Sequence, residues 1–217
     1  MDSLCITLYD CTIADISQSI GPYLQDYLRR RGRSQDGLEV SLSSESGVRF
    51  HVGDAGGIDF SAPAPARMKS FTFIEINIRQ ALPRDVMGKL TLDLIARVPR
   101  EEIVYFKAWY QSVTMKDVSA RFPNLKALYF LGTPLPAIFP TSHLDVSGDI
   151  FPSLQYAFLD SVIVKDDDWS PLTAFLARRS SSGNLLHSLW IKRYCSMRPE
   201  VLRSIRSMVR EFRMDGA

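Results

Sequence analysis

The chain has 217 residues, of which 46% are hydrophobic and 23% are charged, which is enough for one packed domain. A formal net charge of +2 argues against binding to nucleic acid or to an anionic membrane, since both need many clustered Lys and Arg side chains. No apolar run approaches the roughly 20 residues that span a bilayer, and the N-terminal segment lacks the basic start and apolar stretch of a secretory signal. We therefore expect a protein of the cytoplasm or the nucleus.

The N-terminal part, residues 1–68, is less regular than the rest, but its apolar residues are too few for an independent domain. We predict a single domain over 1–217. The predicted elements of the N-terminal part are a strand at 4–8, a helix over 13–20, a second helix that begins after the interruption at Gly21-Pro22, and a hairpin formed by 38–42 and 48–52.

The sequence after residue 68 contains a repeat. The run FPNLKALYF at 122–130 returns 29 residues later as FPSLQYAFL at 151–159. Both runs contain the frame apolar-x-x-apolar-x-apolar. The frame occurs at Phe73-Ile76-Ile78, Ile103-Phe106-Ala108, Leu125-Leu128-Phe130, Leu154-Ala157-Leu159 and Leu186-Leu189-Ile191. Each copy ends in alternation, which is typical of a short strand with two distinct faces.

Segments with helical spacing lie between several copies of the frame. One covers 86–94, and a second starts at Ser170-Pro171, with Ser170 as N-cap, and closes at Gly183. A third begins at Pro199 and is predicted to bury Leu202, Ile205, Val209 and Phe212. Strand, helix and strand at this spacing predict a parallel sheet with helices on one face, in an α/β fold that forms a curved solenoid.

Four runs of the sequence carry a family resemblance: FPNLKALYF at 122–130, the segment 151–184 that contains DDDWSPL and ends in SSSGN, PREEIVYF at 99–106 and MRPEVLRSIRSMVREF at 197–212. They resemble the C-terminal leucine-rich-repeat-like region of F-box proteins from mushroom-forming fungi. The resemblance implies a leucine-rich-repeat-like solenoid that recognises the substrate of an SCF-type ubiquitin ligase. In that family, N-terminal F-box helices dock on the Skp adaptor.

The F-box itself is not found in this sequence. The segment Leu82–Val86 echoes its opening, but the strand predicted at 103–109 breaks the helical hairpin that an F-box needs. Docking on the Skp adaptor is therefore not expected. The chain can be a truncated paralogue, a fragment of a longer product or a stand-alone binding domain.

The predicted binding residues lie on the sheet face that points away from the helices. The central positions are Asn77, Lys107, Tyr129, Phe158 and Trp190, and the flanking positions include Tyr105, Trp109, Tyr156, Asp160 and Lys192. Equivalent positions of neighbouring strands stack, so Lys107, Tyr129, Phe158 and Trp190 are expected to form one row, the aromatic column. Exposed aromatic side chains often dominate protein interfaces, so we expect a protein partner. The alternative explanations are cross-strand packing and coverage of the column by the N-terminal segment. The partner-binding residues are predicted to be Lys107, Trp109, Tyr129, Tyr156, Phe158 and Trp190.

Other candidate sites have plainer interpretations. Cys5, Cys11 and Cys195 form no CxxC pair, the histidines form no HExxH or HxH pair, and no GxSxG motif marks a hydrolase serine. The run Asp166–Asp168 is interpreted as a helix start. Arginines at 203, 206, 210 and 213 are interpreted as a solvated stripe on the last helix. We expect no metal, no cofactor and no catalysis, and the alternatives are a structural remnant without a partner or, less favoured, a hydrolase.

Overall fold

The computed structural model describes residues 2–8, 13–30, 37–43, 47–53, 71–78, 84–97, 103–109, 115–139, 151–193 and 196–215. The strands are β1 (Asp2–Leu8), β2 (Gly37–Ser43), β3 (Gly47–Gly53), β4 (Phe71–Ile78), β5 (Tyr105–Trp109), β6 (Ala127–Leu131), β7 (Tyr156–Asp160), β8 (Leu186–Lys192) and β9 (Val209–Asp215). The α-helices are α1 (Ile13–Arg30), α2 (Arg84–Ile95), α3 (Met115–Arg121), α4 (Leu135–Ile138), α5 (Ser170–Ser181) and α6 (Pro199–Ser207). Within these ranges no helix is both long and apolar enough to cross a membrane.

The strands form one sheet in the order β1-β4-β3-β2-β5-β6-β7-β8-β9. Strands β5 to β9 are parallel to one another, and β2 joins them in parallel through β5. Strand β3 is antiparallel to both β2 and β4, while β1 is parallel to β4. The predicted α/β class and the predicted hairpin are confirmed. The predicted strands β4 and β5 belong to the same sheet, but the hairpin β2–β3 lies between them.

The repeated frame marks the buried face of the parallel strands. Its residues in β5 to β8 and just before them are at most 2% exposed: Ile103, Phe106, Ala108, Leu125, Leu128, Phe130, Leu154, Ala157, Leu159, Leu186, Leu189 and Ile191. They share one core with apolar side chains of the helices, such as Leu24 of α1, Leu94 of α2, Leu176 of α5 and Ile205 of α6. This core lies between the sheet and the helices. The opposite side of the sheet is called the open face below.

The first helix does not stop at Gly21-Pro22. Helix α1 runs from Ile13 to Arg30 with Pro22 inside it. Ile20 and Leu24 are buried on either side of the proline, and this packing offsets the missing backbone N–H. Gly21 permits a close approach, since a Cβ there would lie 2.8 Å from Nε of Arg97. The predicted break is therefore wrong.

The last helix is shorter than predicted. Helix α6 ends at Ser207, and Val209 begins strand β9. Val209, Phe212 and Met214 are a sixth copy of the repeated frame, because β9 pairs with β8 so that Val209 lies opposite Leu186 and Phe212 opposite Leu189. The helical interpretation of Val209 and Phe212 is therefore wrong.

Helix α5 begins one residue earlier than predicted, and its N-cap is Trp169 and not Ser170. Ser170 is the first helical residue, and its backbone N–H donates to Oδ1 of Asp168 at 3.0 Å. That carboxylate accepts hydrogen bonds from Ser170, which lowers the pKa of Asp168 below its ordinary value. Gly183 follows the helix with φ of +77°, in agreement with the predicted C-terminal stop.

The residues that directly follow three of the parallel strands share a backbone conformation with positive φ. Gly132, Ser161 and Arg193 directly follow β6, β7 and β8, and all three have positive φ, at 64°, 52° and 52°. The N–H of Gly132 donates to the carbonyl of Asp160, and the N–H of Ser161 donates to that of Lys192, both at 2.9 Å. The ends of β6 and β7 are thus hydrogen-bonded to the next strand in the same way.

Candidate protein-binding face

The register of the strands brings four residues of the aromatic column into one row. Lys107 lies opposite Tyr129, Tyr129 opposite Phe158, and Phe158 opposite Trp190. On the β2 side the row continues with Glu39, so the outward position Asn77 of β4 is not next to Lys107. The reason is that β2 and not β4 is the neighbour of β5.

Direct contacts connect the members of the column. The Tyr129 and Phe158 rings stack with centroids 6.1 Å apart, and the Phe158 and Trp190 rings meet edge to face at 6.1 Å. Cations lie at both ends: Nζ of Lys107 is 5.1 Å from the Tyr129 centroid, and Nζ of Lys192 is 5.5 Å from that of Trp190. The aromatic column is therefore a continuous row of ring contacts with a lysine at each end.

Burial separates the column into two parts. Phe158 is 3% exposed and Trp190 is 6% exposed, whereas Lys107 and Tyr129 are half-buried. The expectation that Phe158 and Trp190 are exposed in the isolated chain is therefore wrong, since both side chains are enclosed and their rings pack against each other. The predicted assignment of faces holds, since Leu128, Leu159 and Leu189 lie in the helix-side core.

The indole nitrogen of Trp190, Nε1, is also buried. Among the described residues, no acceptor lies within hydrogen-bond distance of its Nε1, which is inaccessible to solvent. A buried donor without an acceptor costs stability, so the indole is held here by its ring contacts. This supports a packing role for Trp190.

A second, smaller apolar cluster lies on the same face. Tyr105 and Ala127 are fully buried, with half-buried Tyr129 and Tyr156 packed against them. Tyr156 also contacts the exposed ring of His187, with centroids 5.4 Å apart. Trp109 occupies the last position of β5, and its side chain lies outside the described residues.

A polar cluster, the Asp160 cluster, lies beside the aromatic column at the ends of β6, β7 and β8. Both carboxylate oxygens of Asp160 accept from the guanidinium of Arg193, at 2.7 and 2.6 Å. The hydroxyls of Ser161 and Tyr129 each donate to the same carboxylate at 3.0 Å. The Asp160 side chain is almost buried, whereas that of Arg193 is 58% exposed, so this cluster presents a cation to solvent.

Opposing effects act on the Asp160 carboxyl. Burial raises its pKa, but hydrogen bonds from Arg193, Ser161 and Tyr129, together with the charge of Arg193, more than compensate. The net result is a pKa below the ordinary value of 3.8. Asp160 is therefore an anion at neutral pH. Neither Arg193 nor Ser161 is a predicted site residue, and each lies two residues beyond the end of a predicted strand.

The arginine stripe predicted on the last helix is divided between two elements. Arg203 and Arg206 are exposed on α6, whereas Arg210 and Arg213 lie on β9. Arg206 lies over the Phe212 ring at 5.8 Å, and Arg213 donates to Glu211 at 2.6 Å. The four arginines therefore do not form one helical surface.

The described part of the chain contains no cluster of three or more His, Cys, Asp and Glu side chains that could hold a metal ion. Asp166 and Asp167 belong to a short 3₁₀ turn, Lys165–Asp167, ahead of α5. Cys11, Cys195 and His143 lie outside the described residues.

No model of a known protein family matches the chain, and neither does any curated protein or any solved structure. The resemblance to F-box proteins therefore remains a prediction.

Proposed function

We propose that this protein is a non-catalytic protein–protein interaction module that binds a protein partner on the open face of its sheet. The observation that carries the proposal is the aromatic column, whose side chains contact one another along the row. Its members are Lys107, Tyr129, Phe158 and Trp190, and Lys192 lies at its end. Side chains that are already ordered lose little conformational entropy when a partner binds. Tyrosine and arginine, both present here, are also common among the residues that dominate interface energies.

The residues of the proposed face have two different roles. Lys107, Tyr129 and Tyr156 are partly accessible and contact the partner, and Trp109 joins them by its register position opposite Leu131. Phe158 and Trp190 are buried in the aromatic column and hold the contact residues in position. Lys107 and Lys192 place cations at the two ends of the aromatic column, so a partner with acidic side chains fits best.

We further propose that residues 103–215 form a leucine-rich-repeat-like solenoid. The repeated frame, the parallel order of β5 to β9 and the recurring positive φ after β6, β7 and β8 support this architecture. Solenoids commonly use one extended surface for binding. With the family resemblance, this suggests the substrate-recognition region of an F-box protein, whose partner is a ubiquitylation substrate.

Affinity capture from the native extract tests the proposal. We expect Lys107→Glu combined with Tyr156→Ala to reduce capture of the specific partner by about 30-fold, the equivalent of about 2 kcal/mol. The matched control is Lys89→Glu, which reverses an exposed lysine on α2, and it should capture the partner like the wild type. Loss of capture in both variants, or in neither, would contradict the assignment of the binding face.

The same capture distinguishes the finer alternatives. Recovery of the ligase scaffold together with the partner supports the ligase link, whereas recovery of the partner alone indicates a stand-alone binding module. If the wild-type chain captures nothing specific, the protein is a structural remnant and the proposed function is wrong.

A further inference from the structure

Strand β9 ends the sheet. Among the described strands, β9 is bonded only to β8, and it is the last strand in the sheet order. An edge strand exposes a row of backbone N–H and C=O groups that can pair with another strand. The hydrogen bonds inside the sheet determine which residues of β9 present these groups.

The bonds between β7 and β8 fix the direction of the backbone groups in β8. The N–H of Ser188 donates to the carbonyl of Gln155 at 3.1 Å, and the carbonyl of Lys192 accepts from Ser161. Residues 188, 190 and 192 therefore point their backbone groups toward β7. Backbone groups alternate between the two sides of a strand, so the N–H and C=O of Leu189, and of every second residue from it, point toward β9.

The register between β8 and β9 then identifies the edge groups. Leu189 lies opposite Phe212, and in a parallel ladder it bonds to the two residues beside that partner, Glu211 and Arg213. The N–H and C=O of Phe212 consequently point away from β8. The same holds for Arg210 and Met214, so three alternate residues offer backbone groups at the edge.

The charged side chains on either side of Phe212 in β9 have opposite signs, so they are complementary to those of a second β9 strand that runs antiparallel. Glu211 and Arg213 flank it on the open face and are 38% and 36% exposed. Phe212 itself is turned to the helix side, where it packs partly against the core. A strand that meets β9 in antiparallel orientation, with Phe212 opposite Phe212, sets each Glu211 opposite an Arg213.

We propose that β9 pairs with β9 of a second copy of this chain, antiparallel and centred on Phe212, to give a two-fold symmetric dimer with one continuous sheet. Phe212 of the two copies exchange hydrogen bonds, as do Arg210 of one copy and Met214 of the other. The charges select this register. Centring on Arg213 would place Arg213 against itself and Glu211 against Asp215, and centring on Glu211 would oppose two glutamates.

Sedimentation velocity over a concentration series tests this dimer with the full chain. We expect the wild type to dimerise with a Kd of roughly 10 to 100 µM, as suits an interface of one strand and its neighbouring side chains. Glu211→Arg and Arg213→Glu should each weaken the dimer by roughly tenfold or more, because like charges then face each other. The double variant Glu211→Arg/Arg213→Glu restores the opposite charges and should dimerise like the wild type.

Two controls separate this result from general effects of charge and folding. Arg30→Glu makes the same charge change as Arg213→Glu on the distant helix α1, where the Arg30 side chain is 79% exposed, and it should leave the dimer intact. Arg210→Pro removes one edge N–H from an exposed position without disturbing the bonds to β8, so it should weaken the dimer, whereas Arg210→Ala should not.

Three outcomes would overturn the proposal. The first is a wild type that stays monomeric throughout the series, and the second is a double variant that fails to recover the dimer. The third is growth into larger assemblies, which would indicate head-to-tail pairing of β9 with another edge. Thermal unfolding of every variant shows whether the monomer is folded, so a misfolded variant is replaced by the Arg210 pair.

Discussion

Asp160 connects three neighbouring strands through one carboxylate. It lies at the end of β7 and accepts from Tyr129 of β6 and from Arg193, which follows β8. Both Arg193 and Ser161 hold positive φ next to it, a backbone conformation that costs energy for residues other than glycine. The hydrogen bonds to Asp160 help to offset that cost. A single buried anion therefore fixes the strand ends that border the aromatic column.

Replacement of Asp160 by Asn tests this connection through its pH dependence. We expect Asp160→Asn to lower the free energy of unfolding by about 1 to 3 kcal/mol at pH 7, since the charge-assisted bonds are lost. The pKa of Asp160 is lowered in the folded chain, so its contribution is complete above the unfolded pKa near 3.8 and is lost as pH falls through the lower folded pKa.

Denaturant unfolding of both proteins between neutral and strongly acidic pH measures the difference. The gap between wild type and Asp160→Asn should stay constant at neutral pH and narrow only in the acidic range below the unfolded pKa. A gap that narrows already near pH 6 would show that another titrating group, and not Asp160, is responsible.

Trp190 is expected to behave as a core residue although it lies on the open face. Trp190→Ala should lower the free energy of unfolding by about 3 to 5 kcal/mol, because it leaves a cavity beside Phe158. Lys107→Ala, in the same row but half-buried, should lower it by about 1 kcal/mol or less, since only its contact with the Tyr129 ring and part of its packing are lost. Chemical denaturation measures both values. Equal and small effects would show that the column does not pack as a unit.

At the scale of elements, the sequence predicted the buried face of the sheet well. The frame residues recur with one pattern because each parallel strand must fill the same space under the helices, and their burial confirms it. The open face could not be predicted as well. Alternation shows that Phe158 and Trp190 point away from the helices, but it does not show that their neighbours enclose them.

The errors at element boundaries have a common physical cause. Val209 and Phe212 fit both a helical stripe and the strand frame, and only pairing with β8 decides between them. Gly21-Pro22 resembles a helix break, yet burial of Ile20 and Leu24 sustains α1 through it. The position of the β2–β3 hairpin between β4 and β5 depends on long-range contacts that no local pattern encodes.

At the scale of the whole molecule, the described sheet has strands paired on both sides in its middle and two edge strands, β1 and β9, that are each paired on one side. Strand β7 is bonded on both sides, to β6 and β8, whereas β9 is bonded to β8. Local opening therefore needs less free energy at β9 than at β7. Strand β1 forms the other edge of the described sheet, and the proposed dimer uses β9 because its charges complement those of a second copy.

Amide hydrogen exchange followed by NMR measures this asymmetry residue by residue. In dilute solution, we expect the amides of Phe212 and Met214 to exchange rapidly, because they point to the free edge, and those of Glu211 and Arg213 to be protected by β8. All amides of β7 should be protected, since each faces a paired strand. On raising the protein concentration, Phe212 and Met214 should gain protection while Glu211 changes little. Protection of Phe212 already in dilute solution would contradict a free edge and would mean that the monomer itself covers β9.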